Sequence, residues 1–313
     1  MRIIFLGTPA FAVPSLQSIT DHGCEIGAVF TQPDRPSGRG QKLQASPVKA
    51  MAQSRGIPVF QPEKIRSEEN RPLFEDIRPD YIIVVAYGQI LPGWLLKSAR
   101  FGAINIHASL LPRYRGAAPI LWAILNGETS TGVTTMMMEE RLDSGPILLQ
   151  EEVPISLSKT AGELAEDLSI VGADLLLRTL DGLRSKSIEP RVQDECRVSW
   201  APRIKKEMAQ ISWEKNARNI HNQIRAMNPW PVAYTEFQGK RLHIWRSLPE
   251  DRSSSLEAAP GTFLGLSQNG LRVQCGEGTV VELFEVQMPS RGRVNGREFA
   301  IGTHLQKGEP IFD

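Results

Sequence analysis

The chain has 313 residues, 41% of them hydrophobic and 23% charged, with a formal net charge of +1. That length favours two domains, the composition excludes a disordered chain, and the charge balance excludes a histone-like protein while leaving room for a local basic patch. Cys24, Cys196 and Cys275 lie far apart, with neither a zinc spacing nor a disulfide framework, so a reducing compartment and no metal are expected. No apolar run approaches the roughly 18 residues of a membrane span. A first strand starting at Arg2 leaves no room for a targeting peptide, so a cytoplasmic protein without membrane contact is expected.

Arg2–Leu6 reads as a short buried strand, broken by Gly7-Thr8-Pro9 before a helical stretch at Phe11–Ile19 and a second strand at Ile26–Phe30. Residues 33–49 carry three prolines and two glycines, which excludes a regular element across most of the stretch. There Arg35, Arg39, Lys42 and Lys49 outnumber Asp34, so the loop either grips phosphates or is a solvated surface. Tyr81–Ala86 and Ala103–Ile106 are further buried runs, and Gly132–Met138 has strand character. Strands alternating with helical stretches predict a parallel sheet covered on both faces. Thr160 and Glu163 have capping-box spacing, and Leu164, Leu168, Val171 and Leu175 should form one buried helical face.

The pattern changes near Arg203. Residues 214–227 predict an amphipathic helix with Ala217, Ile220, Ile224 and Met227 inward. Its opposite face, Arg218, His221, Asn222 and Arg225, is either solvated or a nucleic-acid contact. Short strands and turns follow, with Asn269-Gly270 as a hairpin signal, and they predict a small barrel. The expected domains are therefore 1–203 and 204–313. The second carries 14 Lys+Arg against 12 Asp+Glu, so any nucleic-acid surface there must be a patch.

Chemistry concentrates at Asn105-Ile106-His107-Ala108-Ser109-Leu110-Leu111-Pro112. In a strand, Asn105 and His107 share one face and Ile104 and Ile106 the other. Two polar groups on a buried face need partners, and ligands of open α/β sheets bind beyond the carboxyl ends of strands. An amide beside an imidazole suits an oxyanion; a histidine satisfied by a backbone carbonyl is the plainer alternative. Asp143, before Ser144-Gly145, is either a third member of a site or simple turn chemistry. Gly7-Thr8-Pro9 is not a dinucleotide fingerprint and no phosphate-binding loop follows any strand, which argues against a nucleotide cofactor.

The run NIHASLLPRYRGAAPI (105–120) resembles the signature of the folate-dependent formyltransferases, and LDSG (142–145) is similar to their second signature. FLGTPAFAVPSL, TQPDRPSGRGQKL, VVAYGQILP, ISWEKNARNIHNQIRAMNPWP and APGT (259–262) extend the resemblance to the tRNA-directed branch of that family, over nearly the whole chain. The resemblance implies an α/β fold: an N-terminal Rossmann-like parallel-sheet domain followed by a C-terminal OB-like barrel that contacts tRNA. It implies formyl transfer from 10-formyltetrahydrofolate to the amino group of initiator methionyl-tRNA. It assigns catalysis to Asn105, His107 and Asp143. It places Ser109, Leu110, Leu111, Pro112, Tyr87 and Ile90 around the folate, and Arg39 and Lys42 near the tRNA acceptor end. A monomer is expected. A formyltransferase acting on a small-molecule amine is the nearest alternative; it keeps the three catalytic groups but needs neither the 33–49 loop nor a barrel. A non-catalytic RNA-binding protein would leave Asn105 and His107 unexplained.

Overall fold

Apolar runs too short for helices and rich in Ile and Val build the first sheet. The structure, a computed structural model, describes residues 1–37, 42–250 and 258–312, without the side chains of Ser37 and Lys42. It forms two compact units. The first comprises Met1–Pro119, Thr131–Val153 and Ala165–Ala201; the second comprises Ile120–Ser130, Pro154–Leu164 and Pro202–Asp313. Among the described residues no helix is long and apolar enough to cross a membrane.

In the first unit, β1 (Arg2–Gly7) is followed by a single 3-10 turn and α1 (Val13–Asp21), which has a proline in its first turn, where no N–H is needed. β2 (Glu25–Phe30) pairs parallel with β1. The proline-rich 33–49 stretch is more regular than expected. It holds an antiparallel hairpin, β3 (Arg35–Ser37) and β4 (Lys42–Gln44), and the start of α2 (Pro47–Ser54), whose N-terminus Ser46 caps. Pro36 sits in a ladder with only one partner strand, where a missing N–H is tolerated.

The rest of the first sheet comes from β5 (Val59–Phe60), β6 (Tyr81–Val85), β7 (Ala103–His107), β8 (Ser130–Met137) and β9 (Ile147–Pro154). Between them lie α3 (Arg71–Ile77), α4 (Gly93–Leu96) and α5 (Pro119–Leu125). The strand order is β5-β2-β1-β6-β7-β8-β9. The strands from β5 to β7 are parallel, but β8 runs antiparallel to β7. β8 is buried on both faces, so its residue pattern carries no sign of direction.

Phe30 stacks on Phe74 at 4.7 Å between ring centres in the core under this sheet. On the other side, α6 (Ala161–Ser185) passes close to β7: a Cβ on Gly172 would lie 3.1 Å from the Ile106 side chain. The start of α6 has the predicted capping box, with the Thr160 N–H donating to Glu163 Oε2 at 2.9 Å and the Glu163 N–H to Thr160 Oγ1 at 3.3 Å.

The second unit contains α7 (Ala217–Ala226), β10 (Ala233–Phe237), β11 (Lys240–Pro249), β12 (Phe263–Leu266), β13 (Leu271–Gln274), β14 (Val280–Gln287), β15 (Val294–Asn295) and α8 (Gly296–Gly302). Its sheet is antiparallel, ordered β10-β11-β14-β13-β12, with β15 also on β14. Register shifts bend the β11–β14 and β12–β13 ladders, as a curling sheet requires. Among the described residues no ladder joins the end strands β10 and β12.

The polar face predicted for α7 is not a solvated surface. Arg218 is exposed, but His221, Asn222 and Arg225 are buried. His221 contacts Ser247 Oγ at 3.0 Å through Nδ1 and the Leu157 carbonyl at 2.8 Å through Nε2. Arg225 donates to Asn222 Oδ1 and to the carbonyls of Ser156 and Lys159. Burial brings the His221 pKa down to about 4 and that of Arg225 to about 10. The neutral His221 ring and the Arg225 guanidinium therefore tie residues 156–159 to the helix.

Candidate active site

β7 ends at His107, and its alternation turns Ile104 and Ile106 into buried contacts while placing Asn105 and His107 together on the other face. Asn105 is half-buried, and among the described residues its side-chain amide has no hydrogen-bond partner. His107 is only 6% exposed. Its Nε2 lies 2.9 Å from the carbonyl oxygen of Tyr114. A carbonyl can only accept, so Nε2 carries the proton, and in the neutral ring Nδ1 is the bare nitrogen. The plainer expectation for this histidine thus holds for one ring nitrogen and leaves the other for chemistry.

Nδ1 faces Asp143 Oδ2 at 3.8 Å. Asp143 sits in the turn between β8 and β9 with φ +48°, a left-handed conformation that aspartate tolerates better than most residues. Its Oδ2 accepts the Gly116 N–H at 2.8 Å. Gly116 has φ +125°, and a Cβ there would lie 2.7 Å from the Ala201 carbonyl. Gly145 is required more strictly, since a Cβ would overlap the Met137 carbonyl oxygen at 1.8 Å. An amide, an imidazole and a carboxylate, 36 to 38 residues apart between strand and turn, thereby reach the carboxyl end of one strand.

The Ser109–Pro112 segment is fixed by its main chain. Thr134 Oγ1 donates to the Ser109 carbonyl at 2.6 Å and accepts from the Leu111 N–H at 3.1 Å and Gln150 Nε2 at 3.0 Å. Ser109 is fully buried and donates to the Arg113 carbonyl, while Leu111 packs with Met136 and Ile147. Leu110 packs against Gly132, and Pro112 is partly exposed. Segment 109–112 therefore offers main-chain groups more than side chains.

The two expected wall residues separate. Ile90 is 85% exposed, whereas Tyr87 is 2% exposed and belongs to the core cluster that includes Leu91 and Leu95. The Tyr87 hydroxyl is buried with no hydrogen-bond partner among the described residues, and burial pushes it above the usual phenol range. Ala86, just before Tyr87, has φ +48°.

Arg39 lies outside the described residues. Lys42 pairs with Ser37 in the β3–β4 ladder through its backbone. Lys49, counted with the basic loop, is engaged elsewhere: its Nζ lies 2.6 Å from Asp34 Oδ2 and 2.7 Å from Gln61 Oε1. Lys49 in turn holds the Asp34 carboxyl below its ordinary pKa.

Three residues near the site were not predicted. Arg115, only 1% exposed, donates to Gln193 Oε1 and to Glu195. Gln193 Nε2 reaches the carbonyls of Asp143 and Gly145, both at 2.8 Å. Arg115 holds the Glu195 carboxyl below its usual range. Among the described residues no group of three or more His, Cys, Asp or Glu is placed to hold a metal ion.

The chain belongs to the formyl transferase family: residues 1–180 match the family's formyl transferase model and residues 203–304 its C-terminal domain. Proteins named methionyl-tRNA formyltransferase are similar over nearly their full length. That of Trichlorobacter lovleyi is 47% identical over 98% of this chain and 96% of its own, and that of Bacillus velezensis is 45% identical over 99% and 97%. Among solved structures, the sugar 3N-formyl transferase WlaRD, crystallised with dTDP and 5-N-formyl-THF, superposes with a TM-score of 0.66 at 20% identity, covering 93% of this chain and 99% of its own. HypX from Aquifex aeolicus gives 0.66 at 19% identity over 99% of this chain and 51% of its own. At such identities these two structures show a shared fold.

Proposed function

We propose that this protein transfers the formyl group of 10-formyltetrahydrofolate to the amino group of initiator methionyl-tRNA, as a cytoplasmic monomer. Near full-length likeness to proteins named for that reaction supports the substrates. The observation that carries the chemistry is the Asn105 amide, without a hydrogen-bond partner among the described residues, on the same strand face as the His107 of a His107–Asp143 pair. Residues 1–203 act as the catalytic domain and residues 204–313 as the tRNA-binding domain. Arg39 and Lys42 serve the acceptor end. Tyr87, Ile90 and the main chain of Ser109–Pro112 serve the folate.

The reaction forms a bond between the methionyl nitrogen and the formyl carbon and breaks the bond from that carbon to nitrogen-10 of the folate. The Asn105 amide donates to the carbonyl oxygen as negative charge develops there; one such donor is worth about 2.7–4 kcal/mol in comparable acyl transfers. His107 donates from Nδ1 when that atom carries a proton, because Nε2–H is committed to Tyr114. Asp143, 3.8 Å away, balances the resulting imidazolium and takes the proton released by the amine, directly or through water. The departing nitrogen-10 is protonated from the same pair. No covalent enzyme intermediate is needed.

Formyl transfer to charged initiator tRNA, compared with charged elongator tRNA, tests the proposal. Preferential formylation of the initiator is expected. Formylation of a small amine with no transfer to either tRNA would replace this reading with the small-substrate one.

A further inference from the structure

We propose that Gln193 is a positioning residue for Asp143, and that the buried Arg115 guanidinium, paired with the exposed Glu195 carboxylate, holds Gln193 in place for that task. The inference rests on the function proposed above and extends its site by a second layer.

The Gln193 amide is 5% exposed and every hydrogen-bonding capacity it has is used. Its two N–H groups donate to the carbonyls of Asp143 and Gly145, each at 2.8 Å. Its oxygen accepts from Arg115 Nε at 3.1 Å and Nη2 at 2.9 Å. A flipped amide would set NH2 against the guanidinium and an oxygen against two carbonyls, so one orientation is enforced. Among the described residues, the Asp143 and Gly145 carbonyls take no other hydrogen bond.

Arg115 is a buried charge and needs a counter-charge to be tolerated. Glu195 supplies it, two residues beyond Gln193, with Nη2 at 2.9 Å from Oε1. The Arg115 backbone is fixed as well: its N–H donates to the Ser199 carbonyl at 2.9 Å and its carbonyl accepts from the Ala201 N–H at 2.8 Å. A fixed guanidinium therefore orients an amide, and the amide grips the turn on both sides of Ser144.

The turn needs that grip. Leu142 beside it is 59% exposed, and Asp143 is held in a left-handed conformation. Asp143 Oδ2 must nevertheless stay between the Gly116 N–H and His107 Nδ1. Backbone contacts of the Gln193 kind hold the carboxylate without competing for its oxygens.

The test uses the full chain with Gln193→Glu, which keeps size and the Arg115 contact but removes both donors. Gln193→Met serves as a neutral second variant. The kcat for initiator methionyl-tRNA should fall about 10²-fold, as small misplacements of catalytic groups do, with KM for the tRNA within about twofold. In an Asp143→Asn background the same substitution should change kcat less than about twofold, because the group it positions is already lost. A full second penalty in that background would overturn the proposal. Amide exchange needs no substrate. The Gly116 N–H, which Asp143 Oδ2 accepts, should exchange at least about tenfold faster in both variants, while the Ala118 N–H, bound to the Ala201 carbonyl, stays unchanged. Unaltered Gly116 exchange would equally overturn the proposal. If the unsubstituted protein forms no formyl-methionyl-tRNA, the functional reading fails, while the exchange result still decides the role of Gln193.

Discussion

His107 Nδ1 and Asp143 Oδ2 face each other at 3.8 Å, beyond direct hydrogen-bond length, while the hydrogen bond of that carboxylate oxygen goes to the Gly116 N–H at 2.8 Å. With Nε2–H given to Tyr114, both facing atoms are acceptors in the neutral state. The space between them suits one added proton or one bridging donor, which is what an amine losing its proton supplies.

Asn105→Ala and His107→Ala should each lower kcat by at least about 10²-fold with tRNA affinity nearly unchanged, since each removes a donor used when charge develops on the formyl oxygen. Steady-state formylation together with a tRNA-binding titration separates the two effects. A variant that loses tRNA affinity in proportion to its activity would place that side chain in binding.

The cations of the 33–49 stretch should behave unequally. Arg39→Ala should raise the tRNA concentration required and reduce the salt slope of binding by about one, the loss of one phosphate contact. Lys49→Ala should leave the slope unchanged, because Lys49 is paired with Asp34 at 2.6 Å. Binding isotherms at several salt concentrations measure both.

Acid should weaken the second unit in two stages. The folded pKa of His221 is about 4, below its ordinary 6.5, chiefly through burial. Unfolded chains thus take up a proton that the native state refuses, and stability falls as pH drops from about 6.5 to about 4, by up to roughly 3 kcal/mol. Glu163 is held at about 2, mainly by the Thr160 backbone N–H and then by Arg246. Its contribution is complete above about 4.5 and is lost as pH falls toward 2. His221→Gln should flatten the upper stage in denaturant unfolding across this range, whatever it does to stability at pH 7. A slope unchanged by that substitution would assign the acid sensitivity elsewhere.

Gly145→Ala should be worse than Gly116→Ala. The first drives a Cβ into the Met137 carbonyl at 1.8 Å, backbone against backbone. The second adds strain at φ +125° and a contact of 2.7 Å, for which about 1–3 kcal/mol is typical of backbone held in such regions. Melting temperature and kcat should both fall, and further for Gly145→Ala.

Much of the site was legible because strand alternation acts over two residues: Asn105 and His107 had to share a face once Ala103–Ile106 was read as a strand. Asp143 is not accessible that way. Its place before Ser144-Gly145 fits simple turn chemistry equally well and its spacing carries no link to His107; the resemblance of LDSG to a family signature is what joins the two. Arg115 stands inside the 105–120 run, but nothing in the sequence links it to Gln193, 78 residues away. The face of α7 is hidden for the same reason. The sequence offers a solvated face or a nucleic-acid contact for His221 and Arg225, because their acceptors at Leu157, Ser156 and Lys159 lie more than 60 residues away. The burial of the Tyr87 ring is likewise not visible in the sequence, where Tyr87 stands beside the exposed Ile90 in one short segment. Elements follow from short-range pattern, whereas polar partnerships between distant segments become visible only in the fold.

The central claim is that the Asp143 carboxylate takes part in formyl transfer beside Asn105 and His107. Its most direct test is the single-turnover rate of formylation of initiator methionyl-tRNA by Asp143→Asn, which keeps the side chain's size and its acceptor for Gly116 but removes the charge. A rate at least about 10²-fold below that of the unsubstituted protein is expected; a rate equal to it would contradict the account.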